Sequence, residues 1–209
     1  MAALFIVGMG PGSGQYLLPV AEQAILDADI IVGAPRHVEA YRGRGQEVIE
    51  IRGNMDETLE HLRKHLGGEK RGALLVSGDP MFFSLMRKVR ELFDRDEYEI
   101  IPGISSFQVA CCRADIMWEN AAFLSVHGRS MESLKSLLHE KRPVIILTDN
   151  RHNPAEIARY CLNFEKGKRK VWVGKNLSYR DEVMYRTTLE ELAQREERGL
   201  CVMIIEESS

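Results

Sequence analysis

The chain has 209 residues, a length that suits one large or two small domains, each able to bury a hydrophobic core. Hydrophobic residues make up 44% of it and charged residues 28%, as in an ordinary globular protein, and no apolar run is long enough to cross a bilayer. A net charge of -3 disfavours a surface built to bind nucleic-acid phosphates.

Strands and helices alternate in the first half of the chain, a pattern typical of a parallel sheet. The run Leu4-Phe5-Ile6-Val7 is apolar throughout and predicts a strand buried on both of its faces. A later helix has a marked start, since Asn54 is a good N-cap and acidic residues follow it. Predicted strands in this half are 4–7, 30–32, 47–51, 73–76 and 98–101, and predicted helices are 15–28, 55–65, 80–93 and 106–110.

The second half carries more strands than helices, which predicts a mixed sheet. Predicted strands there are 123–126, 144–147, 171–173, 183–186 and 201–205, and predicted helices are 131–139, 153–161 and 189–195. The alternation breaks around 114–120. We therefore expect an N-terminal domain of residues 1–116 and a C-terminal domain of residues 117–209.

Three glycines follow the first strand at Gly8, Gly10 and Gly12, where the backbone can turn sharply and lie bare against a ligand. The dinucleotide fingerprint would need another glycine at the position of Ser13 and an acidic residue after the second strand, and both are missing. A phosphate loop is also disfavoured, because no Gly-Lys-Ser/Thr follows and Pro11 removes a backbone donor. The turn therefore favours an uncharged or cationic ligand, with a purely structural turn as the alternative.

Three loops follow predicted parallel strands and should emerge at the same edge of the sheet. They are Gly8–Gly12, Ser77–Pro80 and Pro102–Ser106. Asp79 either caps the helix that Pro80 would open or contacts a ligand, and Ser105 and Ser106 have the same two alternatives. Because each loop is common on its own, their convergence is the feature that predicts a binding site.

These three motifs, in this order and spacing, resemble the tetrapyrrole methylase family over nearly the whole chain. The resemblance implies an α/β fold of two domains, the first with a mostly parallel sheet and the second with a mixed sheet. It also implies that S-adenosylmethionine is bound in the cleft between the domains as methyl donor, usually in a homodimer. The expected activity is that of an S-adenosylmethionine-dependent C-methyltransferase.

Further segments resemble the members of this family that methylate carbon 5 of precorrin-7 or cobalt-precorrin-7 in cobalamin biosynthesis. They are Gly33–His37, Thr148–Asn150, Asn176–Leu177 and Asp181–Glu182. The chain resembles the stand-alone form of these enzymes, which implies that a decarboxylating methyltransferase, fused to some relatives, would be a separate partner. Lys175 departs from the Glu-Asn-Leu often found in relatives, which changes the expected charge beside the cleft.

By resemblance, a set of residues from both domains is expected to contact the cofactor. The set comprises Met9, Pro11, Gly78, Asp79, Phe82, Ser105 and Ser106, with Thr148 and Leu177 from the second domain. Phe82 and Leu177 have the apolar character needed to cover the adenine. A sulfonium methyl is already activated, so the reaction needs neither a metal nor a covalent nucleophile, and the sequence indicates no catalytic base.

The substrate is expected to be a ring bearing several carboxylates, which arginine binds well through paired hydrogen bonds. Arg36, Arg113, Arg129 and Arg151 are the candidates, and Arg36 is favoured because it lies in a turn after the second strand. For each of them, the alternative interpretation is an exposed arginine that contacts only solvent.

Other functions stay open at this point. A methyltransferase of the same family acting on another tetrapyrrole, on RNA or on a modified protein residue is one alternative. A non-catalytic ligand-binding module is another. A dinucleotide oxidoreductase is disfavoured by Ser13 and by the missing acidic residue.

Three remaining features favour structural interpretations over functional ones. His61 and His65 are one helical turn apart and could bind a metal, but no third ligand accompanies them. The basic run 166–170 predicts a solvated turn rather than an RNA contact. The four cysteines lack Cys-x-x-Cys spacing, so we expect reduced, mostly buried thiols and a cytoplasmic protein.

Overall fold

The computed structural model describes residues 3–66, 70–165, 169–197, 199 and 201–207. Its backbone separates into two compact units, Met1–Ser105 and Ser106–Ser209. Each unit is built on a five-stranded sheet. The first sheet is entirely parallel and the second is mixed, so the predicted α/β fold class is confirmed. The division between the units lies one helix before the predicted boundary at 116/117.

Five strands form the parallel sheet of the first unit. They are β1 Leu4–Gly8, β2 Ile30–Gly33, β3 Glu47–Glu50, β4 Gly72–Val76 and β5 Tyr98–Ile101. Their order is β3-β2-β4-β1-β5, so β1 lies between β4 and β5. The helices between them are α1 Pro19–Leu26, α2 Pro35–Val38, α3 Met55–His65 and α4 Met86–Leu92, with 3₁₀ turns at Gly14–Tyr16 and Glu39–Tyr41.

Strand β1 is buried on both faces, as its apolar sequence predicts. Ile6 belongs to the same core cluster as Leu59 of α3 and Val89 of α4, whereas Val7 packs in the cluster that contains Ile25 of α1. Successive side chains of a strand point to opposite faces, so helices cover both sides of this sheet. The loops at the carboxyl edge of the sheet are therefore the part of the unit that can receive a ligand.

The first predicted helix, at 15–28, begins only at Pro19. Proline has no amide hydrogen, and its ring holds the preceding Leu18 in an extended conformation with φ -68° and ψ 142°. Proline is well suited to the first position of a helix, and Pro35 likewise opens α2 where the sequence predicted a turn.

The helix predicted at 80–93 is the larger correction. It begins only at Met86, and residues 79–85 form turns in which Phe83 has a φ of 50°. The apolar spacing of this segment is helical, but its tertiary contacts override that preference. Asp79 is therefore not the N-cap of this helix, and that alternative is wrong.

The second unit holds the mixed sheet. Its strands are β6 Ala122–Ser125, β7 Val144–Leu147, β8 Lys170–Lys175, β9 Val183–Thr188 and β10 Cys201–Ile205, and its helices are α5 Ser106–Ala114, α6 Ser133–His139, α7 Pro154–Cys161 and α8 Leu189–Leu192. The order is β6-β7-β10-β8-β9, in which β6 and β7 are parallel and the remaining pairs are antiparallel. Across the described residues, no helix combines the length and apolarity needed to cross a bilayer.

The basic run at 166–170 is only partly described, because residues 166–168 lie outside the described residues. Arg169 contradicts the prediction of a solvated turn, since it is only 8% exposed. Its Nη2 donates to the carbonyl of Leu138 at 3.0 Å, and its Nε lies 3.1 Å from a carboxylate oxygen of Glu165. This arginine stabilises the second unit rather than presenting a charge to a ligand.

Candidate functional site

The three predicted loops meet at the carboxyl edge of β4, β1 and β5, as expected from their positions after parallel strands. A methyl group added to Gly103 would lie 2.2 Å from the carbonyl oxygen of Gly78 and 2.8 Å from the Cα of Gly8. Real Cβ atoms do not approach other atoms so closely. One loop after each of the three strands therefore touches the others backbone to backbone, and the convergence that the sequence predicted is confirmed.

Two of these loops are also joined by an isolated antiparallel bridge between Gly10 and Gly78. The amide of Gly78 donates to the carbonyl of Gly10 at 2.8 Å, and the amide of Gly10 donates back at 3.3 Å. Both residues have a positive φ, 74° and 66°, which glycine adopts without steric cost. The first and second loops thus form one continuous hydrogen-bonded surface.

Asp79 connects the second loop to the third. One carboxylate oxygen accepts the Met81 amide at 2.7 Å, and the other accepts the Gly103 amide at 3.1 Å. Ser105 is buried next to this contact, and its Oγ lies 3.4 Å from where a Cβ of Gly78 would be. Asp79 therefore links the second and third loops, and its contact with a ligand stays a prediction.

The structure brings most of the first-unit candidates to this edge. Met9, Pro11, Gly78, Asp79 and Ser105 all lie in the three loops, at intermediate or low exposure. Phe82 follows in the turns of 79–85, where its ring packs edge-on against that of Phe83 with centroids 4.7 Å apart. Ser106 begins α5 and belongs to the second unit.

Arg36, the favoured arginine, is fixed at the same sheet edge by a hydroxyl group. Its Nη2 donates to Ser77 Oγ at 2.6 Å, and Nε2 of His37 lies 2.8 Å from the same oxygen. Burial, together with the charge of Arg36, lowers the pKa of His37 to about 4. The imidazole is therefore neutral at physiological pH and a weak proton acceptor.

Sequence reasoning did not single out Ser77 or His37 as functional residues. The contact of Ser77 with Arg36 and His37 depends on the strand order, because β2 and β4 are neighbours in the sheet although β3 separates them in the chain. Gly33 pairs with Leu75 in that register, which places the loops that follow the two strands side by side.

In the second unit, Thr148 and Asp149 follow β7. The hydroxyl of Thr148 donates to the carbonyl of Cys201 at 2.8 Å. Asp149 accepts the amides of Gly128 at 2.9 Å and His152 at 2.5 Å. Burial raises the pKa of Asp149, but these amides and the nearby imidazole outweigh it and lower the pKa overall. The carboxylate therefore remains charged and joins the loops after β6 and β7.

Leu177 occupies a constrained turn after β8. It is 4% exposed and lies between Asn176, with φ 48°, and Ser178, with φ 73°. Its side chain fills the space beside Gly174, where an added methyl would lie 2.9 Å from a Leu177 methyl. Non-glycine residues at positive φ cost free energy, so surrounding contacts must hold this turn in place.

Those contacts include a carboxylate. Glu182 accepts the amide of Ser178 at 2.6 Å and the Nε of Arg113 at 2.6 Å. Burial raises the pKa of Glu182, but these two bonds outweigh it and lower the pKa overall. Arg113 therefore pairs with a carboxylate of its own chain, which makes it a poorer candidate than Arg36 for binding a substrate carboxylate.

Family comparisons agree with this geometry. The chain matches the family described as Tetrapyrrole (Corrin/Porphyrin) Methylases over residues 3–193. The chain belongs to the tetrapyrrole methylase family. This tetrapyrrole methylase is 32% identical over 211 aligned residues, 97% of each chain, to a protein of Methanocaldococcus jannaschii named probable cobalt-precorrin-7 C(5)-methyltransferase.

Solved structures of other tetrapyrrole methylases share the architecture. A cobalamin-biosynthesis precorrin-6Y methylase from Archaeoglobus fulgidus superposes with a TM-score of 0.75 at 26% identity, covering 99% of this chain and 98% of that one. A uroporphyrin-III C-methyltransferase from Thermus thermophilus, solved with S-adenosylhomocysteine, gives a TM-score of 0.76 at 18% identity and covers 98% and 92% of the two chains. The second likeness concerns the fold alone.

Within the described residues, no cluster of three or more His, Cys, Asp or Glu side chains is arranged to hold a metal. The two histidines of α3 interact with each other and with the helix. Nδ1 of His65 lies 2.8 Å from the carbonyl of His61, and the ring centroids are 4.1 Å apart. A structural role at the end of the helix accounts for both.

Proposed function

We propose that this tetrapyrrole methylase transfers a methyl group from S-adenosylmethionine to carbon 5 of precorrin-7 or cobalt-precorrin-7 in cobalamin biosynthesis. The observation that carries the proposal is the meeting of three glycine-containing loops at one sheet edge. The identity to a relative bearing that activity in its name supports the choice of substrate. The enzyme class is therefore a C-methyltransferase.

The chemistry of the loops fits this cofactor. Asp79 is the only charged residue in the three loops, which contain no lysine or arginine for a pyrophosphate. A negative charge and bare backbone groups suit a nucleoside that carries a positive sulfonium. The residues proposed to hold it are Met9, Pro11, Gly78, Asp79, Phe82, Ser105, Ser106, Thr148 and Leu177.

The chain's own contribution to the reaction would be orientation and exclusion of water. When bound, S-adenosylmethionine supplies an activated methyl group. The loops would fix its position, and Arg36 would bind a carboxylate of the ring so that the nucleophilic carbon faces the methyl. The new carbon–carbon bond would form as the methyl–sulfur bond breaks, with S-adenosylhomocysteine as the leaving group and a ring proton released to solvent. Correct orientation of the two reactants is worth roughly 7–11 kcal/mol of the barrier.

Binding and turnover together test the proposal. Calorimetry with S-adenosylhomocysteine should give a dissociation constant in the micromolar range. Incubation with S-adenosylmethionine and cobalt-precorrin-7 should then add one methyl group, detected by mass spectrometry. Absence of heat at high protein concentration would overturn the cofactor assignment, and methylation of a different tetrapyrrole would overturn the substrate assignment.

Three further expectations belong to the same proposal. They are a homodimeric state, a cytoplasmic location and a separate decarboxylating methyltransferase as partner. Sedimentation velocity would measure the first directly. Pull-down with the decarboxylating enzyme from the same organism would measure the last.

A further inference from the structure

A hydroxyl group shared by an arginine and a histidine lies at the carboxyl edge of the first sheet. Ser77 Oγ accepts a hydrogen bond from Arg36 at 2.6 Å and lies 2.8 Å from Nε2 of His37. Arg36 and Ser77 are exposed, whereas His37 is buried. The imidazole therefore anchors an exposed hydroxyl, and the hydroxyl in turn restrains an exposed guanidinium.

The charge of Arg36 is not neutralised by any carboxylate in the part of the chain that the structure describes. Other arginines differ, since Arg113 pairs with Glu182 and Arg42 pairs with Glu50. Burial and the neighbouring guanidinium keep the pKa of His37 low, so the imidazole adds no second positive charge. Arg36 thus has a fixed position and a full charge available to an external anion.

We propose that Ser77 and His37 are positioning residues that aim Arg36 at a carboxylate of the substrate. This inference rests on the proposed function and extends it to two residues that lie in the motifs but whose role the motifs do not specify. A surface arginine samples many rotamers, and binding normally costs it that freedom. A hydrogen bond that selects one rotamer in advance removes much of this cost and fixes where the carboxylate must lie.

The place of the cluster supports the assignment. Ser77 directly precedes Gly78, the residue that contacts both of the other cofactor loops. Arg36 lies in α2, directly after strand β2, and β2 pairs with β4 in the sheet. A carboxylate bound by this arginine would therefore lie beside the loops proposed to hold the methyl donor. That proximity is what a residue that orients the ring requires.

A double-mutant cycle tests whether the serine acts through the arginine. We would compare Ser77→Ala, Arg36→Ala and the double variant by KM and kcat for cobalt-precorrin-7 at saturating S-adenosylmethionine. Ser77→Ala should raise KM about 5- to 20-fold with kcat within about two-fold, because Arg36 loses the hydrogen bond that orients it before the substrate binds. In the Arg36→Ala background the same change should add less than about two-fold.

Two further variants complete the design. Ser77→Thr retains the hydroxyl and should restore most of the affinity. Ser136→Ala removes an exposed serine hydroxyl of the second unit and should leave both constants unchanged. If Ser77→Ala folds poorly, as judged by its melting temperature, His37→Gln takes its place in the cycle with the same expected coupling to Arg36.

The possible results separate this inference from the proposed function. Independent, multiplicative effects of Ser77→Ala and Arg36→Ala, or an unchanged KM for Ser77→Ala in an active enzyme, would overturn the positioning role alone. A wild-type protein that neither binds S-adenosylhomocysteine nor methylates the ring would overturn the proposed function itself.

Discussion

Replacement of Gly103 by alanine is the most direct perturbation of the meeting point of the loops. The new methyl group would lie 2.2 Å from the carbonyl oxygen of Gly78 and 2.8 Å from Gly8, against an ordinary contact of 3.4–4 Å. These neighbours are backbone atoms, so a side chain cannot rotate away to relieve the overlap. At least one loop would have to move by about 1 Å, which is overpacking of a rigid site.

The magnitude follows from two contributions. Overpacking typically costs about 1–3 kcal/mol, and displacement of the Gly103 amide from the carboxylate of Asp79 would cost about 1.5–3 kcal/mol more. We therefore expect Gly103→Ala to lose about 2.5–6 kcal/mol of stability. For a protein of this size that corresponds to a melting temperature lower by roughly 5–24 °C. Affinity for S-adenosylhomocysteine should fall below detection.

Gly14→Ala is the matched control, because an added methyl group there has no atom within 4 Å. Thermal unfolding and calorimetry on both variants would compare the same chemical change in two surroundings. A Gly103→Ala protein with wild-type melting temperature and unchanged binding would refute the view that the backbones of the loops are locked together.

Three other perturbations follow from contacts outside Gly103. Asp79→Ala removes the acceptors that join two loops, so it should lower the melting temperature by several degrees and also weaken binding of S-adenosylhomocysteine. Thermal scans and calorimetry would measure the two effects, and weaker binding at an unchanged melting temperature would contradict the linking role. The lowered pKa of His37 means that the folded protein binds fewer protons than the unfolded chain between about pH 4 and 6.5, so stability should fall as pH falls through that window. His37→Gln should remove a pH dependence of at most about 3 kcal/mol, measured by urea unfolding at pH 7 and at pH 4.5. Glu182→Gln removes the charge that pairs with Arg113, so it should lower the free energy of unfolding by about 1 kcal/mol, measured with urea, and weaken S-adenosylhomocysteine binding a few-fold, measured by calorimetry. Unchanged values in both measurements would show that the turn at Leu177 does not depend on Glu182.

The sequence predicted the first sheet well because its signals are local. A parallel strand covered on both faces must be apolar along its whole length, and Leu4–Gly8 and Gly72–Val76 have that composition. Loops after parallel strands share an edge by geometry alone, so the meeting of Gly8, Gly78 and Gly103 followed from the strand assignment.

Two features could not be obtained in that way. The apolar residues of segment 79–85 have helical spacing, but the carboxylate of Asp79 accepts the amides of Met81 and Gly103. The contact with Gly103 is distant in sequence, so helix propensity could not predict it. The contact of Arg36 with Ser77 depends on β2 and β4 being neighbours, and strand order is a property of the assembled sheet.

The two aspartates that follow strands act alike, and this bears on the chemistry. Asp79 and Asp149 each accept one amide from their own loop and one from another loop, Gly103 in the first unit and Gly128 in the second. Protonating either carboxylate would forfeit hydrogen bonds that hold two loops together. Neither is therefore suited to act as a general base, and His37, with its lowered pKa, is also a weak one. Because the methyl group arrives already activated, the new bond can form without a base. The hydrogen bonds of these side chains therefore serve to hold the loops in position.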